Sequence, residues 1–160
     1  MQWSEVLADS SLQNLPYKIE LNENGNIEMS PASFLHSRLQ GKIAATLLLQ
    51  LGGDVFTELA IQTTKGVRVP DVAWGSQTYT LLHQHDVWAT SAPEICIEII
   101  SPSNNRQAML DKVTLYLEAG AIEAWLVEEQ GQIAIYDRTG KISKSRYTVD
   151  LQNCFMGSHS

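Results

Sequence analysis

The chain has no surplus of basic residues, no long apolar run and only two cysteines, and each shortage closes off a class of protein. Lys and Arg number 11 against 18 Asp and Glu, for a net charge of −7. Broad, nonspecific attraction to nucleic acid draws on excess positive charge, so it is not the main device here. The longest strongly apolar stretch, residues 43–51, is too short to span a bilayer and is interrupted by Thr46 and Gln50. The N-terminus lacks the basic flank and leucine-rich core of a signal segment, and a soluble, cytoplasmic protein with no membrane partner is expected. Cys96 and Cys154 have no metal-like spacing, which argues against a disulfide framework or a zinc site. Repeats and low-complexity segments are absent as well. What is present, 160 residues with 44% apolar and 18% charged content, suits one globular domain over residues 1–156, with 157–160 a tail or cloning scar.

Periodicity orders the elements. Residues 17–21 and 26–29 flank an Asn22-Glu23-Asn24-Gly25 turn and predict an N-terminal β-hairpin. Ser30 and Pro31 then suit the cap and first turn of a helix, in which Leu35, Leu39, Ile43, Leu47 and Leu51 recur until Gly52-Gly53. Residues 55–62 and 67–74 predict an antiparallel hairpin, and 75–92, with His83 and His85, a loop or short helix without the cysteine or acidic spacing of a zinc site. A strand over 93–100, a helix over 106–119 and strands over 124–128 and 132–137 follow, with a further edge strand at 147–151. Arg138, Lys141, Lys144 and Arg146 decorate this last region and read as basic residues on a solvated hairpin, with a phosphate-contacting strip the alternative. The expected fold is α/β: a mixed central sheet flanked by helices, in three layers.

One residue breaks the pattern. In the apolar run after Pro93, Ile95, Ile97 and Ile99 share one face while Cys96, Glu98 and Ile100 share the other, so Glu98 points into an apolar layer. A carboxylate there needs a partner, a set of hydrogen bonds or a cation. Asp71, after Pro70 on the preceding core strand, is the candidate neighbour. Two carboxylates brought together repel unless a cation lies between them, and Mg²⁺, with Mn²⁺ as substitute, takes one or two carboxylates while keeping waters and room for a phosphate. Lys112, bordering the inward stripe of the following helix, is the lysine expected to orient an attacking water or offset developing charge.

Asp71 with Pro70, Glu98-Ile99-Ile100-Ser101-Pro102-Ser103, Asp111-Lys112, Tyr116-Leu117-Glu118-Ala119-Gly120 and Glu123-Ala124-Trp125-Leu126-Val127, in this order, resemble the Uma2 family, formerly a domain of unknown function. Residues 25–36 resemble that family's entry into its first helix, and the likeness covers roughly residues 15–138. The resemblance implies a PD-(D/E)XK, restriction-endonuclease-like core and a metal-dependent endonuclease acting on DNA, commonly as a homodimer and with no small-molecule cofactor. It implies Asp71 and Glu98 as the motif acids. The lysine expected two residues after the acid is replaced by Ile100, so Lys112 would be its migrated counterpart, and Ala108 stands where relatives often carry an acid.

His36, Glu20 and Glu28 are candidates for an outer shell around the metal, and Gln62 for a donor behind Asp71. Two readings compete with the enzyme. Glu98 and Lys112 could form a buried ion pair without catalysis, and the fold could serve binding, regulation or homo-oligomeric assembly.

Overall fold

The computed structural model describes residues 1–156; the tail expected at 157–160 lies outside the described residues. Its elements begin with α1 (Trp3–Ala8), the hairpin strands β1 (Tyr17–Leu21) and β2 (Ile27–Pro31), and helix α2 (Phe34–Leu51). Four short strands follow: β3 (Asp54–Thr57), β4 (Ile61–Thr63), β5 (Gly66–Arg68) and β6 (Val72–Gly75). Helix α3 (Gln77–His83) leads to β7 (Ile95–Ile100), α4 (Arg106–Glu118), β8 (Glu123–Glu128), β9 (Ile133–Asp137) and β10 (Gly140–Ile142).

The large sheet runs β10-β9-β8-β7-β6-β3, with β7 and β8 parallel and the other neighbours antiparallel. A parallel pair cannot be joined by a tight turn, and α4 supplies the crossover. Alternation along β7 then decides what each face receives. Ile95, Ile97 and Ile99 pack with Leu39, Ile43 and Leu47 of α2, whereas Cys96 and Ile100 pack with Val113 and Tyr116 of α4. The expected three layers are present, helix on sheet on helix. No described helix is long and apolar enough to cross a membrane.

A second, antiparallel sheet has the order β2-β1-β5-β4. Ile19 and Leu21 turn one face of β1 toward Val6 of α1 and Val67 of β5, a small core of its own. The polar segment before residue 17 gave no hint of α1, whose only buried residue is Val6. Gly66, at φ +90°, makes the approach between β1 and β5 possible: a Cβ there would lie 2.1 Å from the Leu21 carbonyl oxygen.

Three expectations are corrected. Ser30 and Pro31 end β2, paired with Lys18 and Tyr17, and the helix is capped instead by Ser33, whose Oγ accepts the His36 N–H at 3.1 Å. Proline is acceptable at the end of an edge strand, so the hairpin keeps residues that equally suit a helix start. The single hairpin expected over 55–74 is divided: β3 and β6 pair in the large sheet while β4 and β5 pair in the small one. Glu58, at φ +60°, ends β3, and Val69-Pro70-Asp71 carries the chain back. The edge strand is β10 and not 147–151. Tyr147, Val149, Leu151 and Cys154 instead cover the α2 layer, held by Gln50, which donates to the Asp150 carbonyl at 3.1 Å and accepts its N–H at 2.8 Å.

Candidate active site

The β6–β7 ladder sets the central pair. Val72 opposes Ile97, so the next position along places Asp71 opposite Glu98. Asp71 therefore stands just outside the strand on which it was expected, and both carboxylates are buried, at 2% and 3% exposure. One Asp71 oxygen, Oδ2, accepts the Ile99 N–H at 2.8 Å; the other, Oδ1, faces His36 Nε2 at 3.2 Å. Glu98 Oε1 accepts the Tyr116 hydroxyl at 2.5 Å and lies 3.6 Å from Lys112 Nζ.

The cation nearest the pair is Lys18, which sequence reasoning missed. Its Nζ lies 3.0 Å from Asp71 Oδ1 and 3.2 Å from Glu98 Oε2, nearer to the acids than Lys112. Lys112, the lysine expected beside the acids, is thus the more distant of the two. Lys112 instead donates to Glu20 Oε1 at 2.6 Å, and Glu20 Oε2 accepts the Val69 N–H at 2.8 Å. Lys18 and Glu20 are two apart on β1 and share the face opposite Ile19 and Leu21. The same alternation marks an ordinary half-solvated strand, so it did not single out Lys18.

Of the remaining candidates, the structure brings His36 and Glu20 to the site and leaves two outside it. Glu28, on the edge strand β2, pairs with Arg68 at 2.8 Å. Gln62 points outward from β4 between buried Ile61 and Thr63, and its amide donates to the Thr63 carbonyl. None of the basic residues at 138–146 lines the cleft shared by Asp71 and Glu98; Lys141, on β10, opposes Tyr136, which opposes Ala124 near the start of β8. His83 closes α3 with Nδ1 2.8 Å from Asp86 and Nε2 3.0 Å from Ser91 Oγ. His83 thereby joins the end of α3 to the loop that follows it, through Asp86 and Ser91.

Electrostatics follow from this arrangement. Burial opposes ionisation of Asp71, but the His36 hydrogen bond, the Lys18 and His36 charges and the Ile99 N–H outweigh it and hold the carboxyl below its ordinary range. Burial pushes Glu98 up, and Lys112 and Lys18 only partly oppose it, with Asp71 adding to the rise. Burial would lower Lys18, yet the charges of Glu98, Asp71 and Glu20 raise it above the usual lysine value.

The hydrogen bond to Asp71 raises His36 against partial burial. In the metal-free protein, NMR titration of His36 is expected to give a midpoint above about 6.5, returning toward it in Asp71→Asn. Because the folded value is the higher one, this pairing stabilises the fold below the unfolded pKa and is lost as pH rises through the folded one. A midpoint unmoved by Asp71→Asn would separate His36 from the acid.

The group opens into a cleft of about 870 Å³, whose lining includes Lys18, His36, Asp71, Glu98, Lys112 and the first turn of α2. Asp71 Oδ1 and Glu98 Oε2 are the oxygens that could hold a hard divalent cation. Among the described residues no cluster of three or more such ligands forms, and two is a count that Mg²⁺ accepts while retaining several waters.

The Uma2 family model, described as "Putative restriction endonuclease", matches residues 5–154. The chain belongs to the Uma2 family. Its fold is also that of a solved structure described as "a putative nuclease belonging to DUF820" from Anabaena variabilis, with a TM-score of 0.66, 17% identity and 97% of each chain covered. The comparison with curated proteins found no match. In this Uma2 member the buried Asp71–Glu98 pair therefore sits in a fold that the two proteins share over most of their length.

Proposed function

We propose that the protein is a metal-dependent endonuclease that hydrolyses phosphodiester bonds of DNA. The observation that carries this reading is the convergence of two buried carboxylates from adjacent strands on one ammonium, at 3.0 and 3.2 Å, in an open cleft. Membership of a family described as "Putative restriction endonuclease" supports it.

Asp71 and Glu98 would hold Mg²⁺ or Mn²⁺, which when bound supplies Lewis acidity at a phosphoryl oxygen and a water of lowered pKa. The chain's own groups set the rest. Tyr116 fixes Glu98 by donating to Oε1, and the Ile99 N–H fixes Asp71 through Oδ2. Glu20, anchored by the Val69 N–H, holds the Lys112 ammonium beside Glu98, where it can offset charge on the phosphorane or steady the attacking water. Water adds to phosphorus, one P–O ester bond breaks, and the departing oxygen takes a proton. A homodimer, in which a duplex meets two such sites, belongs to the same reading.

The test is plasmid DNA incubated with the protein and Mg²⁺ or Mn²⁺, with chelator as control. Nicking that requires the ion and stops on chelation is expected. Intact duplex, single-stranded DNA and RNA in the presence of either ion would favour the competing reading, a nuclease fold used for binding or assembly.

A further inference from the structure

We infer that Lys18 is the resident counter-cation of the Asp71–Glu98 pair, and that a divalent ion enters by displacing its ammonium into the cleft. The inference rests on the metal-nuclease reading above and adds to it the order of events at the site.

Lys18 and Lys112 both touch Glu98, but they are not equivalent. Lys112 approaches Oε1 at 3.6 Å, and its short contact, 2.6 Å, is with Glu20. Lys18 alone contacts both acids, through Asp71 Oδ1 and Glu98 Oε2, and its side chain is only 9% exposed. Those two oxygens face one shared point, and the point already holds a positive charge. Mg²⁺ binds carboxylate oxygens at about 2.1 Å. A doubly charged ion so close to Oδ1 and Oε2 meets the Lys18 ammonium as a like charge at short range in a poorly solvated site, and the monovalent partner is the one that yields.

The cleft itself receives the displaced ammonium: Lys18 lines it together with Ser33, Ser101 and Asn104. Its ammonium, on a flexible four-carbon stem, then faces the space a substrate phosphate would enter. Metal uptake and the delivery of a cation to the phosphate become one exchange. Lys112, tied to the anchored Glu20, stays in place.

The experiment is calorimetric titration of Mn²⁺ into wild type, Lys18→Met, Lys18→Arg and Lys112→Met, with melting curves of each in the absence and presence of the ion. Lys18→Met is expected to bind Mn²⁺ about tenfold more tightly than wild type and more tightly than Lys112→Met. Lys18→Arg, which keeps the charge, is expected to bind no better than wild type. Metal-free Lys18→Met should melt lower than wild type and gain more from saturating Mn²⁺. If Lys18→Met fails to fold, Lys18→Gln takes its place with the same expectation. Equal or weaker affinity in the neutral variant, with wild type binding and cleaving, overturns the exchange and leaves the nuclease reading standing. Absence of Mn²⁺ binding in both folded proteins removes the metal reading and the exchange with it.

Discussion

Glu98→Gln is expected to lower metal-dependent cleavage by about 10³-fold or more, while the protein remains folded. The loss follows from replacing one of the two carboxylates that face the shared cation position with a neutral amide. Folding survives for a separate reason. Removing one partner of a buried pair is costly chiefly when it strands a charge. Here Lys18 keeps Asp71 at 3.0 Å and Lys112 keeps Glu20 at 2.6 Å. Burial, moreover, already works against the ionised form of Glu98. Single-turnover cleavage with a melting curve on the same sample decides the matter. A folded variant cutting within about tenfold of wild type would mean that Glu98 is a structural acid and the site lies elsewhere.

The second large effect is one of stability, at the other end of the parallel pair. Glu123 is 1% exposed and pairs with no cationic side chain among the described residues. Its carboxylate accepts from Trp125 Nε1 at 2.9 Å, Ser145 Oγ at 2.6 Å and the Arg146 N–H at 2.9 Å. It therefore joins the start of β8 to the segment that returns across the α2 layer. Glu123→Ala leaves three donors without their acceptor, and about 3 kcal/mol is expected to be lost. For a domain of this size that lowers the melting temperature by roughly 6–12 °C. Glu123→Gln, able to accept through one oxygen, should lose about half as much. Chemical denaturation of both variants is the measurement, and a loss below about 1 kcal/mol in Glu123→Ala would show that the return segment is held by its apolar contacts alone.

These two glutamates also mark how far the sequence could be read. Glu98 stood out because it interrupts an apolar run bounded by Pro93 and Pro102, so alternation alone set its face. Glu123 obeys the same logic, sharing a face with Trp125 at the start of a buried strand, but it begins its run and looks like a strand end. Asp71 was legible as a neighbour of Glu98; its opposition across the ladder depends on the β6–β7 register, which no local pattern states. The long helices and β7 were readable because their periods are sustained. The division of residues 54–75 between two sheets was not, since strands of three or four residues carry too little alternation to announce a change of sheet.

Lys18 escaped notice for a related reason. A lysine on an N-terminal hairpin has a solvated edge as its ordinary fate, and what buries it is the packing of one sheet's strand over the end of another. The sequence could assign the acids to the large sheet, but it had no means of reporting which distant strand would deliver the cation. A motif scan that looks for a lysine at fixed spacing from the acid finds Ile100 and stops.

The passage between the sheets, Val69-Pro70-Asp71, is three residues long and ends on a site carboxylate, while its first N–H is held by Glu20 of the neighbouring strand. So short a span has no slack to absorb rocking of one sheet against the other. Asp71 is thereby moored on both sides, to the large sheet through the Ile99 N–H and to the small sheet through a tether two residues away, where Glu20 holds the Val69 N–H.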